Sequence, residues 1–307
     1  MSDRPLVVCV VLTWNRRDDT LACLAALARS TYRPMRVVVV DNASDDRTAE
    51  AVASSYPAVE VVRNGENLGF AGGNNVGLRW ALEAGAGLVL VLNNDVEVEP
   101  ETVGSLVEAC SRLPEAGAVN PTILFAEPAG HVWFAGAGFD PGRGYNGRQW
   151  GYGKPDDTDR SAPVETERAC GAALLVPRAV LDRVGLFDEE LFLYSEDTEW
   201  SLRARAAGYR LFVVPEARVV HHVSASTGGE SSPATLYYGM RNTLVVCERH
   251  APLGRLGTWR RRLVMLAAHV GQALLSDGRR AGLRAVRDGW RDARTGRLGP
   301  RPEGRLR

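Results

Sequence analysis

Asp95 closes the stretch Leu88-Val89-Leu90-Val91-Leu92-Asn93-Asn94-Asp95, where five apolar residues give way to two amides and a carboxylate. A carboxylate beside amide oxygens suits a hard divalent cation, which takes oxygen ligands and shares its shell with phosphate groups. A polar turn that simply ends a strand uses the same residue types. Asp41 presents a second carboxylate, within Asp41-Asn42-Ala43-Ser44-Asp45. With its hydroxyl and amide neighbours it can accept hydrogen bonds from a base or a ribose, and a helix-capping turn is the competing reading. Further on, Ser195-Glu196-Asp197 opens a helical pattern. One of its two acids can act as a general base on an acceptor hydroxyl or amine, while the helix dipole alone also favours acids there. His221-His222 ends a later apolar run, and a histidine so placed either ligates a metal, touches a phosphate or is structural.

The elements that must carry these groups follow from periodicity. Leu6 to Leu12, Val37 to Val40, Val59 to Val62 and Leu88 to Leu92 are short, Val- and Leu-rich runs, and helical spacing separates them. Continuous apolar runs of this kind are strands buried on both faces, and their alternation with helices predicts a parallel sheet covered on both sides. Ligands bind such sheets at the carboxyl ends of the strands. Thr13-Trp14-Asn15, Asp41-Asn42-Ala43-Ser44 and Asn93-Asn94-Asp95 all fall on that rim. Asn67-Leu68-Gly69-Phe70-Ala71-Gly72-Gly73-Asn74-Asn75 does not fit G-x-G-x-x-G. Its glycines permit close approach of backbone to a ligand or to the sheet. Residues 126–162 are rich in Gly, Pro and aromatic rings, among them Trp133, Phe134, Phe139, Tyr145, Trp150 and Tyr152. They suit either stacking on a sugar or a satellite core. Strands are expected over Gly117 to Phe125, Glu167 to Val176, Tyr209 to Val214 and Ala217 to Val220, and helices over Ala234 to Arg249 and within 255–293.

Composition bounds the rest. The 307 residues carry 37 basic and 37 acidic side chains, an ordinary balance unevenly spread. From residue 251 onward 14 Arg face 4 acids, so the body before them is acidic. A basic surface of this kind suits an anionic membrane face or ordinary solvated helices. Nothing in the pattern points to nucleic acid. Five scattered cysteines without a C-x-x-C pair fit a reducing cytoplasm rather than a disulfide framework or zinc site. The start reads as no signal peptide, and Leu263 to Leu275 is too short to span a bilayer.

Six marks, in this order and spacing, resemble the inverting family-2 glycosyltransferases of GT-A fold, particularly their rhamnosyltransferase-like branch. They are Thr13-Trp14-Asn15-Arg16, Val40 to Asp45, Asn67 to Asn74, Leu92-Asn93-Asn94-Asp95, Glu196-Asp197-Thr198-Glu199-Trp200, and His221 with Ser224-Ala225-Ser226. The resemblance runs from about Val7 to Asn242. It implies an α/β, Rossmann-like, mostly parallel sheet flanked by helices. A transferase domain would span 1–232, its nucleotide-binding half 1–113 and its acceptor half 114–232. A basic helical extension at 233–295 and a disordered tail at 296–307 would follow.

By the same resemblance, Thr13, Asn15 and Asp41 would hold base and ribose. Asn67 and Gly72 would line the donor pocket, with Asn74 and Asn94 near the nucleotide. Asp95 would be the principal carboxylate ligand of Mn2+ or Mg2+, because Asn93 replaces the first acid of the family's Asp-x-Asp motif. His221 would complete the metal or diphosphate contacts. Asp197 would be the catalytic base, with Glu196 as the fallback. The implied reaction moves a hexose, such as rhamnose, from a nucleoside-diphosphate sugar to a glycan, lipid-linked or small-molecule acceptor, with inversion. The expected location is the cytoplasm, with peripheral contact at the inner membrane face through the basic helices. Two other classes compete. A sugar-nucleotide-forming nucleotidyltransferase would carry a Gly-rich loop after the first strand, where this chain has Trp14-Asn15-Arg16-Arg17-Asp18. A catalytically inactive binding module would have lost Asp95 or Asp197.

Overall fold

The computed structural model of the chain describes residues 4–144, 149–157, 159–222 and 232–302. Strand β1 (Val7–Thr13) lies at the centre of the first half, its Val7 to Val11 fully buried. It pairs in parallel with β2 (Met35–Asp41) on one side and β4 (Leu88–Asn93) on the other, and β3 (Glu60–Arg63) adds beyond β2. Register sets Thr13 opposite Asp41 and Leu12 opposite Asn93. The three polar strand ends therefore share one rim, as the alternation requires.

Between the strands run α1 (Arg17–Ala28), α2 (Thr48–Ser55) and α3 (Gly69–Glu83). Helix α3 starts at Gly69, so it absorbs most of the glycine-rich segment. Its glycines serve the sheet: a Cβ on Gly77 would lie 2.2 Å from Val10 Cγ1, and one on Gly73 2.4 Å from Leu12 Cδ1. The helix thus lies directly on β1, closer than any side chain allows. Arg47 is the N-cap residue of α2 and gives no side-chain cap; Asp46 accepts from Thr48 N, and neither Ser44 nor Asp45 serves as the cap.

After β4 the alternation ends. Strand β5 (Val96–Val98), α4 (Thr102–Arg112), β6 (Ala116–Phe125), β7 (Val132–Phe134), β8 (Val164–Thr166), β9 (Ala173–Pro177) and α5 (Arg178–Val184) follow. The full order is β3-β2-β1-β4-β9-β6-β10-β5, with β10 spanning Arg210–His221. The sheet is mixed from β9 onward: β9 runs antiparallel to both β4 and β6. Two expectations change here. Glu167 to Val176 is not one strand. The Asn120 side chain donates to the carbonyls of Cys170 and Ala173 and accepts from Cys170 N, which takes this stretch out of the ladder before β9. Conversely, Tyr209 to Val214 and Ala217 to Val220 form the single strand β10, bent by a bulge between Val214 and Arg218.

Apolar clusters fill both faces of the sheet. A third lies between α7 (Pro233–His250), α8 (Arg255–Leu275) and α9 (Arg279–Thr295), and it takes in Leu191. The aromatic segment is divided: Trp133, Phe139 and Trp150 are half-buried, and Tyr152 is exposed. Phe134 is fully buried, Trp150 sits against Gly136, and Tyr152 meets Phe125 edge-on; Tyr145 lies outside the described residues. The expected disordered tail is corrected over residues 296–302. Gly299 N donates to Glu190 O at 2.7 Å, and Arg301 N donates to Tyr238 Oη at 2.8 Å. The tyrosine pair Tyr237-Tyr238 and the Asp288 carboxylate, 3.4 Å from Arg301, supply partners that composition does not reveal. Residues 303–307 lie outside the described part.

Candidate active site at the strand-end rim

The first loops of the rim are tied to each other. Asn15 N donates to Ser44 Oγ, and its Oδ1 accepts from Asp45 N, so the loops after β1 and β2 close as one unit. Thr13 is buried: its hydroxyl donates to Asn15 O and meets Thr20 Oγ1 at 2.9 Å. Asn94 reaches back to both hydroxyls, at 3.3 and 3.1 Å. The side chains of Thr13 and Asn94 are thereby engaged in holding the rim together. Asp41 is likewise buried. One oxygen accepts from Ser44 N, and the other lies 3.6 Å from Arg63 Nε, with no hydrogen bond among the described residues.

Asn42, not singled out from the sequence, is the hub of the neighbouring loop. Its amide donates to Asn67 Oδ1 and Gly69 O, and its Oδ1 accepts from Leu68 N and Asn64 Nδ2. Its position next to Asp41 in a strand-end motif was the available signal. Asn67 in turn accepts from Gly69 N and so shapes the start of α3. Gly72 and Asn74 lie inside that helix. Asn74 is fully buried and donates to Phe70 O.

At the other end of the rim Asp95 meets His221, with Oδ1 and Nε2 3.1 Å apart and both side chains largely buried. Trp133 packs its ring against the imidazole at 4.5 Å and 87°, fixing its plane. His222 points elsewhere, to Glu97 at 2.8 Å. Among the described residues no third His, Cys, Asp or Glu completes a metal-holding group. One carboxylate and one imidazole leave most of an octahedral shell to a ligand's oxygens, which fits Mn2+ or Mg2+ shared with a diphosphate. Ser224-Ala225-Ser226 fall outside the described residues.

Antiparallel pairing of β9 with β4 brings Asp197 to the same rim. Asn93 N donates to Ala172 O at 2.9 Å, and the adjoining Gly171 N donates to Asp197 Oδ2 at 3.2 Å. Asp197 stands in the first turn of α6 (Glu196–Ala206). That helix is anchored by fully buried Trp200, which donates to Gly185 O, and by Ser201, which donates to Asp197 O and accepts from Ala169 N. Ser195, the N-cap residue, makes no side-chain cap. Ser195 instead takes a left-handed backbone, φ 71°. All seven non-glycine residues of positive φ among the described residues sit in three loops of this region: Asn15 and Arg16; Ala43 and Arg47; Phe192, Tyr194 and Ser195. Each such conformation costs on the order of 1–3 kcal/mol and persists only where its surroundings over-determine it.

Glu196 and Asp197 differ sharply. Glu196 is buried, and burial, reinforced by the neighbouring Asp197 charge, pushes its carboxyl well above the usual range. An enclosed carboxyl whose charged form burial disfavours is poorly suited to take a proton from an acceptor, whereas Asp197 is only half-buried. The linkage has a definite sign. Between the unfolded carboxyl value of 4.5 and its raised folded value, the folded chain holds a proton that the unfolded chain has lost. Stability then falls as pH rises through that window. Glu196→Gln should therefore melt at the same temperature as the parent below the ordinary carboxyl value, and increasingly above it as pH rises toward the raised folded value. Thermal melting across that range checks this, and a difference independent of pH would mean that Glu196 is ionised in the fold.

Comparison with known proteins places this geometry. Residues 8–184 match the model of the glycosyl transferase family 2. N-acetylglucosaminyl-diphospho-decaprenol L-rhamnosyltransferase of Mycobacterium tuberculosis is 32% identical over 270 residues, covering 82% of this chain and 85% of that protein. The dTDP-rhamnosyl transferase RfbF of Shigella flexneri is 26% identical over 256 residues, covering 80% and 82%. Among solved structures, GalNAc-T7 with UDP, GalNAc and Mn2+ superposes with a TM-score of 0.63 at 18% identity, over 81% of this chain and 48% of that one. The mannosyltransferase of Pyrobaculum calidifontis with GDP-Man and Mn2+ gives 0.58 at 19% identity, over 96% and 76%. These last two establish the shared GT-A fold. With more than half its length matched by the family and a rhamnosyltransferase relative aligned along most of both chains, this chain belongs to glycosyl transferase family 2.

Proposed function

We propose that the chain transfers a sugar, with inversion, from a nucleoside-diphosphate donor to a hydroxyl of a lipid-diphosphate-linked glycan. The observation that carries this reading is the shared rim: Asp95 with His221 at one end, and Asp197 joined to it through Gly171, Ala172 and Asn93. Asp41 and Asn15 stand on the nucleotide side. The names of the mycobacterial and Shigella relatives favour a dTDP-linked rhamnose donor and an N-acetylglucosaminyl-diphospho-polyprenol acceptor.

Asp95 and His221 are the residues that would hold a divalent ion beside the donor diphosphate. Such an ion, when bound, offsets the charge that builds on the leaving group. The acceptor oxygen attacks the anomeric carbon from the face opposite the diphosphate. Its proton passes to an Asp197 carboxylate oxygen as the new C–O bond forms. The anomeric C–O bond breaks, and the nucleoside diphosphate leaves with that electron pair. A single displacement inverts the anomeric centre and needs no sugar–enzyme bond.

Peripheral membrane contact belongs to the same proposal. No helix among the described residues is long and apolar enough to cross a membrane. Helix α8, however, exposes Leu256, Trp259, Leu263, Val264, Leu274 and Leu275 on one stripe and contains no acid. Arg255 and Arg260 are exposed on the same helix. An apolar stripe with a tryptophan and arginines suits the interface of an anionic bilayer.

Asp197→Asn should lower transfer from dTDP-rhamnose to the polyprenyl acceptor by roughly 10²–10⁴-fold while calorimetry with dTDP and Mn2+ still detects donor-side binding. Near-parental turnover would overturn the base assignment. Asp95→Ala should abolish the Mn2+-dependent part of dTDP binding; undiminished Mn2+ dependence would remove Asp95 from the metal site. The full chain should sediment with phosphatidylglycerol vesicles and the Leu256→Glu, Trp259→Glu double variant should not, whereas equal sedimentation would dismiss α8 as the contact.

A further inference from the structure

Arg241 and Asn242 are fully buried polar residues in the middle of α7, away from any group that the sugar-transfer reading uses. A buried guanidinium and a buried amide are costly unless every donor finds an acceptor. Apart from one bond between the two residues, their acceptors lie in two chain segments. Asn242 Nδ2 faces the carbonyls of Leu191, Leu193 and Tyr194 at 2.9, 2.8 and 2.7 Å. Arg241 donates to Leu191 O at 2.9 Å, to Glu190 O at 3.5 Å and to Gly299 O at 2.6 Å. Its Nε also donates to Asn242 Oδ1 at 2.8 Å, which fixes the amide with its NH2 toward the three carbonyls.

The segment they grip is one that does not hold its own shape. Leu193 N donates to Leu191 O across Phe192, whose φ of 65° and ψ of −59° make the rare γ-turn of positive φ. Tyr194 and Ser195 follow at φ 66° and 71°. Left-handed backbone at three non-glycine residues in four requires outside support. Phe192 stacks on Tyr238 of the same helix, at 5.4 Å between ring centroids.

Both ends of this segment run into the candidate site. Phe192 O accepts from Phe70 N at 2.7 Å and from Ala71 N at 3.3 Å, at the start of the donor-side helix α3. Gly69 approaches so closely that a Cβ there would lie 2.3 Å from the same carbonyl. Two residues beyond Ser195 stands Asp197. The loop is thus the strut between donor pocket and base, and it is held from behind by α7.

We propose that Asn242, oriented by Arg241, is a positioning residue for sugar transfer. It locks the Leu191–Ser195 loop and so sets the separation between Asp197 and the donor bound beside α3. The proposal rests on the reading of Asp197 as base and adds the device that aims it. It also gives the C-terminal helices a part in catalysis independent of any membrane contact, since Gly299 beyond α9 shares the Arg241 guanidinium with the loop.

The test uses the full chain carrying Asn242→Ala, with Arg241→Lys as a second variant that keeps the charge but loses the fork; either alone decides if the other fails to fold. Amide hydrogen exchange at Phe70 and Ala71 reads the strut directly. Protection there should fall at least about tenfold, while Val10 in the central strand stays unchanged. In dTDP-rhamnose turnover with the polyprenyl acceptor, kcat should fall by about a hundredfold, the scale of a misplaced reacting group, with dTDP–Mn2+ affinity held within about threefold. Because Asn242 acts through Asp197, the Asp197→Asn, Asn242→Ala double variant should be no slower than Asp197→Asn alone. Unchanged exchange at Phe70 and Ala71, or losses that multiply in the double variant, would overturn the proposal. Full turnover by Asp197→Asn alone would instead remove the base assignment, and the exchange result would still decide whether Asn242 holds the loop.

Discussion

The antiparallel pairing of β9 against β4 is the constraint on which the site depends. Parallel strands alone would gather Thr13, Asp41 and Asp95 on one rim and leave the acceptor side empty. Reversing one strand brings its amino end to the carboxyl end of β4, so Gly171 and Ala172 stand beside Asn93. Gly171 can offer its amide to Asp197 because it lacks a side chain where Phe70 presses in; a Cβ would lie 3.1 Å from the Phe70 ring. Asn120, buried in β6, releases this stretch from the ladder so that it can turn toward α6. The loop of Asp95 and the helix of Asp197 thus meet across one strand pair.

Polar atoms near that pair divide into two kinds. Thr13, Thr20, Asn94, Asn42 and Asn67 satisfy one another and stiffen the loops. Asp41 Oδ2 and His221 Nδ1, by contrast, are buried without a hydrogen bond among the described residues. This division is what a pre-organised site requires: groups that hold, and groups that are held. The left-handed residues fit the same picture, since strained backbone accumulates in the loops that aim side chains rather than in the sheet.

The C-terminal helices are two-sided. Inward, α7 and the segment after α9 buttress the loop before Asp197 through Arg241 and Asn242. Outward, α8 presents an apolar stripe bordered by arginine. The arginines of this region therefore divide three ways: Arg241 and Arg261 are buried in the fold, Arg301 closes the strap over Tyr237, and others such as Arg255 and Arg260 are exposed.

Valine-rich runs and their spacing determined the first four strands, their parallel order and the rim at their ends, because a strand buried on both faces leaves a local, period-free apolar signature. The motifs from Thr13 to His221 determined the family, since each is a short stretch whose residues sit side by side in the chain. What tertiary structure alone decided is everything that needs partners distant in sequence: β9 reversing against β4, β10 bending through a bulge instead of breaking, Asn42 as a hub, and residues 296–302 packed rather than loose. Glu196 and Asp197 show the limit most plainly. As neighbours in the sequence they are interchangeable acids in a first helical turn; only burial, set by segments far along the chain, disfavours the charge on Glu196 and leaves Asp197 half-buried, accepting from Gly171 N.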